Sequence, residues 1–369
     1  MHKRKIRGIL CTSCGACMIA CPQKSISMKK NRLAQLVPKI DKKKCINCGI
    51  CDQICPQVNN PLKKYPKECY VAWSKNEDDY ITSASGGIGA VIARHQLKHS
   101  QKVYGCDYTL DGELHHFCLN DERDVERSKS SKYSQSKSYE CYSEIKSLLS
   151  EGYKVVFIGT PCQCAGLKNT VKNKSENLFT VDLVCHGTPP NEYLREHFIE
   201  MGIDFPVSKI RFRGEFDQKI TVWMDNDIIY QRDRYDDLYF TAFYKNIISC
   251  NSCFECQYAC PERVSDITIG DFWGLGKLNQ IERMSERPSL ILINTEKGKD
   301  FFNEIKDEIF YEQRVVTEGI NGNGRLLKTP GKNNKAKIFQ LLYSSKIFGF
   351  NFSLRILNYM VRKKGDFFK

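Results

Sequence analysis

Along the middle of the chain, short apolar runs alternate with stretches of helical period. Residues 102–106, the apolar run Lys-Val-Val-Phe-Ile at 154–158 and residues 179–184 read as strands, while 142–149, 163–167 and 191–201 read as helices. Regular β–α alternation of this kind predicts a mostly parallel sheet with helices on its faces. From 210 to 230 the pattern shortens to strands at 219–224 and 227–230, and a late strand at 290–294 leads into a helix near Lys297. Nearer the start, 25–28 and 33–40 alternate around Lys29-Lys30-Asn31-Arg32, which predicts a short hairpin. Residues 61–67, with two prolines and three lysines, read as a linker. From 336 onward, Ile338, Phe339, Leu341, Leu342, Ile347, Phe348 and Phe350 are mixed with basic residues. That is an amphipathic tail, expected to pack on the body or on a partner in preference to a membrane surface.

Nineteen of the 369 residues are cysteine, and most of them are clustered. Cys11, Cys14, Cys17 and Cys21-Pro22 recur 34 residues later as Cys45, Cys48, Cys51 and Cys55-Pro56, two copies of C-x-x-C-x-x-C-x-x-x-C-P. Three thiolates at this spacing wrap one compact loop around a 4Fe–4S cubane, and the fourth starts a helix aimed at the other cluster. One cluster is therefore expected on Cys11, Cys14, Cys17 and Cys55, the other on Cys45, Cys48, Cys51 and Cys21. Zinc knuckles, built from two C-x-x-C pairs, leave no role for the eightfold pattern with both prolines. A third run, Cys250, Cys253, Cys256 and Cys260-Pro261, has the same spacing but no twin. Either Cys260 folds back to complete a third 4Fe–4S cluster, or a remote thiol does. Cys162 and Cys185, at the ends of predicted parallel strands where α/β proteins hold ligands, are the alternatives.

The formal net charge is +13, and three anionic clusters would offset about half of it. A solvated lysine-rich surface accounts for the rest, so no nucleic-acid partner is expected. No apolar run reaches the ~20 residues needed to span a bilayer, and the basic start of the chain has no signal-peptide core behind it. Clustered thiols held reduced point to the cytoplasm.

Six further motifs make the sequence recognisable: Ser83-Ala84-Ser85-Gly86-Gly87, Ser131-Lys132-Tyr133-Ser134-Gln135-Ser136, Gly159-Thr160-Pro161-Cys162-Gln163, Cys185-His186-Gly187, the pair Cys253 and Cys256, and Asp266 to Gly274 (Asp-Ile-Thr-Ile-Gly-Asp-Phe-Trp-Gly). In this order, over roughly residues 1–300, the chain resembles the coenzyme F-420 hydrogenase/dehydrogenase beta-subunit family in the form with an N-terminal ferredoxin domain. The resemblance implies an iron–sulfur flavoprotein that moves electrons between 4Fe–4S clusters and a two-electron acceptor through FAD. Cys250 and Cys260 depart from the family pattern, which raises the standing of Cys162 and Cys185 as ligands of the third cluster.

Physical readings of the motifs keep two sides open. Ser83, Ser85, Gly86 and Gly87 precede a helix from Ile88 and suit an FAD diphosphate, or else a serine cap with a glycine turn. Lys132, Tyr133, Gln135 and Ser136 suit the cofactor too, or else a solvated loop. Thr160 and Gln163 follow a strand directly, as cofactor-contacting residues do, and Cys162 between them is a ligand, a flavin neighbour or a buried thiol. His186 and Asp271 are the candidate catalytic residues, one for proton delivery and one for a ribityl hydroxyl, each with a structural alternative.

The fold expected is an α+β ferredoxin module followed by an α/β core with a mostly parallel sheet and a cluster-binding C-terminal segment. Its divisions are 1–60 for the two-cluster ferredoxin domain, 68–190 and 191–330 for the two halves of the flavin-binding core, and 331–369 for the tail. The function expected is an oxidoreductase fed by an external ferredoxin or redox partner subunit and reducing a small-molecule acceptor. That acceptor is a deazaflavin-type coenzyme or a biosynthetic substrate, with polysaccharide biosynthesis as one setting. The alternative is a non-catalytic electron-transfer subunit of a larger complex.

Overall fold

The computed structural model describes residues 10–172, 176–213, 218–277 and 285–363. The basic stretch before Leu10 and the end of the tail at 364–369 lie outside the described residues. Each N-terminal cysteine loop turns into a short helix through a glycine: Gly15 (φ 68) opens α1 (Ala16–Ile19) and Gly49 (φ 76) opens α2 (Ile50–Ile54). Any side chain would strain that left-handed backbone. Between the loops the expected hairpin forms, with β1 (Ile26–Lys30) antiparallel to β2 (Leu36–Ile40) and Ile26 opposite Ile40. Its second strand starts at Leu36 because residues 31–35 make the turn, where the Asn31 side chain accepts from the Leu33 and Gln35 amides at 2.9 and 3.1 Å. The stretch read as a linker is pinned by Lys64, whose amide and carbonyl both pair with Arg263 at 2.8 Å.

Beyond it come β3 (Glu68–Ser74), α3 (Glu77–Thr82), α4 (Ile88–Lys98), β4 (Lys102–Tyr108), β5 (Leu114–Leu119), α5 (Glu122–Ser128), α6 (Tyr142–Ser150), β6 (Val155–Gly159), α7 (Pro161–Val171), β7 (Leu178–Leu183) and α8 (Asn191–Glu200). A small antiparallel sheet follows, of β8 (Lys209–Arg211), β9 (Lys219–Met224) and β10 (Asp227–Asp233), then α9 (Leu238–Tyr244) and α10 (Asn251–Phe254). The chain goes on through β11 (Ile267–Asp271), β12 (Ser289–Ile293), α11 (Glu296–Ile305), β13 (Ile309–Arg314), α12 (Val316–Gly322) and the paired helices α13 (Asn334–Ser344) and α14 (Phe350–Lys363).

Eight strands build one mixed sheet in the order β13–β3–β12–β11–β7–β6–β4–β5. Its middle is parallel, through the pairs β11–β7, β7–β6 and β6–β4. The outer pairs are antiparallel, which corrects the expectation of a mostly parallel sheet. At one flank the reason is local: Thr109 and Glu113 close a tight turn (2.8 Å) around Gly112 (φ 71), so β5 returns as a hairpin where a helical crossover would have kept it parallel. At the other flank, β3 runs beside β12 and β13, which arrive more than two hundred residues later.

Apolar side chains of α4 and α11, including Ile88, Ile92, Phe301 and Phe302, cover one region of the sheet, while α6 and α7 bury Ile145, Leu149, Ala165 and Leu167 in another. The small sheet and the tail share a further core, in which Phe339, Tyr343, Phe350, Leu354 and Leu357 pack with Tyr193, Phe198, Tyr239 and Phe240. The tail's apolar stripe is thus largely spent inside the molecule, although Leu341 and Ile347 remain 72% and 77% exposed. Among the described residues no helix is long and apolar enough to cross a membrane.

Candidate functional site

The N-terminal thiols fall into two groups with different surroundings. Cys11, Cys14, Cys17 and Cys55 form a set in which every pair interacts electrostatically. Burial first, and then the charges of these neighbours, push Cys11 up to about 11 and Cys14 up to about 12. Such thiols need nearby positive charge to become thiolates, which is what an iron core supplies. Cys21 interacts instead with Cys45, across the repeat. Backbone amides already point at sulfur: Ser13 N–H to Cys11 at 3.3 Å and Ser25 N–H to Cys21 at 3.3 Å.

The first loop is pressed on the core. A Cβ on Gly15 would lie 2.3 Å from that of Tyr139, and one on Gly166 in α7 would lie 2.8 Å from the Cys14 Cβ and 3.0 Å from its sulfur. Gln135 donates to Thr12 O (3.2 Å), Asn169 to Ile54 O and Asn59 O (3.0 and 2.8 Å), and Gln257 to Pro56 O (3.0 Å).

A further set of four thiols gathers beyond that contact, at the carboxyl ends of the central strands. Cys162 opens α7 after β6, Cys185 follows β7, and Cys253 and Cys256 bracket the end of α10. Every pair among these four interacts. Burial and then the neighbouring thiols raise Cys162 well above the ordinary thiol range and Cys185 to about 12. Gly187 N–H points at Cys185 (3.4 Å), Thr188 N–H at Cys253 (3.4 Å), and the Thr160 hydroxyl lies 3.2 Å from Cys162.

The outer cysteines of the third run sit elsewhere. Cys250, 2% exposed, donates to Gln135 Oε1 (3.7 Å) and lies between Cys253 and Cys11. Cys260 donates to the Gln257 and Glu262 carbonyls, both at 3.4 Å, with Lys63 Nζ also 3.4 Å from its sulfur. Tyr258, 3% exposed, feels Cys162 and Cys256 on one side and Cys14 and Cys55 on the other. Arg263, 3% exposed, holds the run to β7: it donates to Tyr258 O (3.1 Å) and Cys260 O (3.4 Å) while its Nη2 meets Asp182 Oδ1 at 2.8 Å.

Beside Cys185 opens a cleft of about 1450 Å³, counted out to its mouth. The motif residues Ser83, Ser85, Gly87, Lys132, Tyr133, Ser136, Thr160, Gln163, His186 and Asp271 all line it. No side chain caps the N-terminus of α4, where Gly87 stands at φ 82, and residues 87–89 face the cleft. The other motif residues are engaged as follows. Gly86 is turned to β3, where a Cβ would meet Ala72 O at 2.5 Å, and its amide donates to Ser289 Oγ (2.8 Å). Gln135 ties the first cysteine loop to the core and does not line the cleft. The Lys132 ammonium caps the end of α5, donating to the carbonyls of Arg127, Ser128 and Lys129 at 3.0, 2.7 and 2.7 Å. Burial lowers it to about 8. Gln163 donates to Ser136 Oγ (2.7 Å), which lies 3.0 Å from His116 Nδ1, so the floor of the cleft is hydrogen-bonded internally. Tyr133 stacks on Phe243, ring centroids 4.4 Å apart.

His186 reaches solvent at the mouth of the cleft. The protein mass around it, then Arg325 and Arg213, lower its pKa against the pull of Asp271. Asp271 accepts from Arg213 Nη1 at 2.6 Å. Arg213, which also lines the cleft, escapes motif reading, although Ile210-Arg211-Phe212-Arg213 alternates as a strand does, with Ile210 and Phe212 buried. Asp78, Asp79 and Glu126 are the only metal-capable trio among the described residues with ligand atoms within 4.8 Å of one another. Arg94 and Lys129 neutralise that cluster from both sides.

Strand-end thiols, a paired cysteine repeat and a contiguous contact between them define an iron–sulfur electron-transfer protein. Residues 10–59 match the 4Fe–4S dicluster domain, and residues 152–318 match the C-terminal part of the coenzyme F420 hydrogenase/dehydrogenase beta subunit. Residues 152–318 are thus similar to the C-terminal part of this beta-subunit family, with the dicluster domain ahead of them. No curated protein matches it. Among solved structures it is similar to a chain of the F420-reducing NiFe hydrogenase complex from Methanosarcina barkeri, at 15% identity, with 83% of this chain and 95% of that chain covered and a TM-score of 0.47.

Proposed function

We propose that the chain is a cytoplasmic iron–sulfur flavoprotein oxidoreductase. Electrons from an external ferredoxin or a redox partner subunit enter the N-terminal module. They cross to a third 4Fe–4S centre on Cys162, Cys185, Cys253 and Cys256, and reach a small-molecule acceptor through FAD held in the cleft. The observation that carries this reading is a shared wall: Cys185 belongs both to the four-thiol set and to the lining of the cleft. In this reading Cys11, Cys14, Cys17 and Cys55 hold the first centre, Cys45, Cys48, Cys51 and Cys21 the second, and Cys250 and Cys260 ligate nothing. A zinc ion with bonds of about 2.3 Å would draw its sulfurs closer together than these lie, since among the described residues no three cysteines gather within 4.8 Å.

Residues around the cleft fit a dinucleotide. The uncapped start of α4 and the hydroxyls of Ser83, Ser85 and Thr160 offer donors to a diphosphate. Asp271 fixes the Arg213 guanidinium in the lining as a neutral ion pair, a source of N–H donors for a bound cofactor. His186 handles the proton at the mouth, and Tyr133 offers ring surface. A flavin there supplies the conversion of single-electron delivery into two-electron chemistry. The acceptor is a deazaflavin-type coenzyme or a biosynthetic substrate, such as one of polysaccharide synthesis. The division into 1–60, 68–190, 191–330 and 331–369 is proposed with it.

Anaerobically purified protein should contain about twelve irons, matched by acid-labile sulfide, and one FAD. Cys162→Ser should lose about four irons while Cys250→Ser keeps them all. Equal iron in the two variants would remove the proposed ligand set, and absence of flavin would remove the catalytic reading. The second reading, a non-catalytic electron-transfer subunit, is favoured by the family's description as a beta subunit. Reduction of a small molecule by the isolated protein with a chemical donor decides against it.

A further inference from the structure

The two N-terminal thiol loops differ in access. Cys14 is 8% exposed and lies against Gly166, whereas Cys48 is exposed, Ile46 beside it is 61% exposed, and nothing stands within 4 Å of a Cβ placed on Gly49. Solvent meets the paired centres chiefly at the second loop. Lys42, Lys43 and Lys44 lead into that loop and are all exposed. The hairpin brings Lys24 and Lys39 alongside, through Ile26 opposite Ile40 and the Asp41 amide on Ser25 O at 2.8 Å. None of these five lysines enters an ion pair among the described residues. The acids nearby are Asp41, whose side chain accepts from the Lys43 amide at 2.9 Å, and Asp52.

We propose that this rim, five unpaired lysines around an exposed isoleucine and thiol, is the docking surface for a small acidic one-electron carrier protein. The proposal rests on the reading of the chain as an electron-transfer protein and names the face and the partner chemistry. Positive charge steers a negatively rimmed partner to the loop, and Ile46 offers an apolar contact at its centre. Such an encounter is small and short-lived, which suits turnover of a carrier. At each encounter the partner is oxidised by one electron, and the centre held by the second loop is reduced by one. No bond is made and no proton moves.

The test uses the full chain, anaerobic and oxidised, mixed with a reduced acidic plant-type 2Fe–2S ferredoxin. Rapid-freeze EPR separates the 2Fe–2S and 4Fe–4S signals. The second-order rate should fall steeply as salt is added. The triple variant Lys42→Glu, Lys43→Glu, Lys44→Glu should react at least about tenfold more slowly at low salt, while dithionite reduces it as fast as the parent. A rate that is flat or rising with salt in the parent overturns the proposal without any substitution. So does an unchanged rate in a variant of full iron content. Failure of dithionite to reduce the parent's clusters would instead overturn the electron-transfer reading itself.

Discussion

Arg263 joins two segments that each carry thiols of the four-membered set. Its guanidinium reaches Asp182 on β7, Thr268 Oγ1 on β11 (3.2 Å) and the carbonyls of the cysteine run, all in the interior. Its positive charge also acts on Cys185 and Cys256. Arg263→Gln leaves the Asp182 carboxylate buried without its cation, which costs about 3–5 kcal/mol of stability. The same change should shift the potential of the centre proposed at these thiols to more negative values, because a nearby positive charge favours the reduced, more anionic state. Arg263→Lys should retain the potential and lose stability. EPR-monitored redox titration checks this, and identical potentials in the parent and the glutamine variant would show that Arg263 only positions the loop. A lone arginine gives no local signal in the sequence, since its partner Asp182 stands 81 residues earlier. The cysteines, by contrast, announce themselves through spacing alone.

Helix α7 is the element on which the two parts of the molecule meet. Pro161 starts it, Cys162 follows, and one turn later Gly166 lets the Cys14 sulfur approach the backbone. A glycine-to-alanine change inside a helix ordinarily stabilises by about 1 kcal/mol. Gly166→Ala is expected to do the opposite, with overpacking of about 1–3 kcal/mol against Cys14 outweighing the gain. Urea unfolding reads the sign, and a stabilised variant would mean the contact yields freely. The strand before α7 and the glutamine after its cysteine were legible because β–α alternation is a local pattern. The flanking strands β3, β5 and β13 were not, although β12 was read at 290–294. Glu-Cys-Tyr-Val-Ala-Trp-Ser in β3 lacks alternation because both of its faces are covered, and its neighbours come from the far end of the chain. Gln135 shows the same limit at the site. Its motif resembled a cofactor loop, yet its side chain bonds Thr12 O in a module 123 residues away.

At the scale of the whole molecule, the tail is locked to the body by His197. One ring nitrogen meets Asp237 Oδ2 at 2.8 Å and the other Asn351 Oδ1 at 2.7 Å, and the Asn351 amide bonds back to His197 O (3.3 Å). Both partners accept, which calls for the imidazolium. Burial alone would lower the pKa of His197, but the hydrogen bond and charge of Asp237 outweigh it and raise the value. Asp237 is correspondingly lowered, its burial outweighed by His197. The histidine contribution is therefore full below about pH 6.5 and is lost as pH rises through the raised value. The aspartate contribution is present above about pH 3.9 and is lost on acidification. His197→Gln should cost about 3 kcal/mol near pH 6 and progressively less toward pH 9. Denaturant unfolding across that range measures it, and a cost independent of pH would sink the charged-pair account.

The thiol sets also impose a timetable on the making of this protein. Cys11, Cys14 and Cys17 emerge from the ribosome first, but the fourth member of their set is Cys55, beyond the hairpin. The strand-end thiol set is Cys162, Cys185, Cys253 and Cys256, and β11, which pairs with β7 beside Cys185, is made later still. A nascent chain therefore exposes reactive thiols for most of its synthesis. In the proposed reading the module can be filled during translation, whereas a centre on the strand-end set would have to wait until β11 has joined β7, which would make iron supply at that late moment the step most exposed to oxygen.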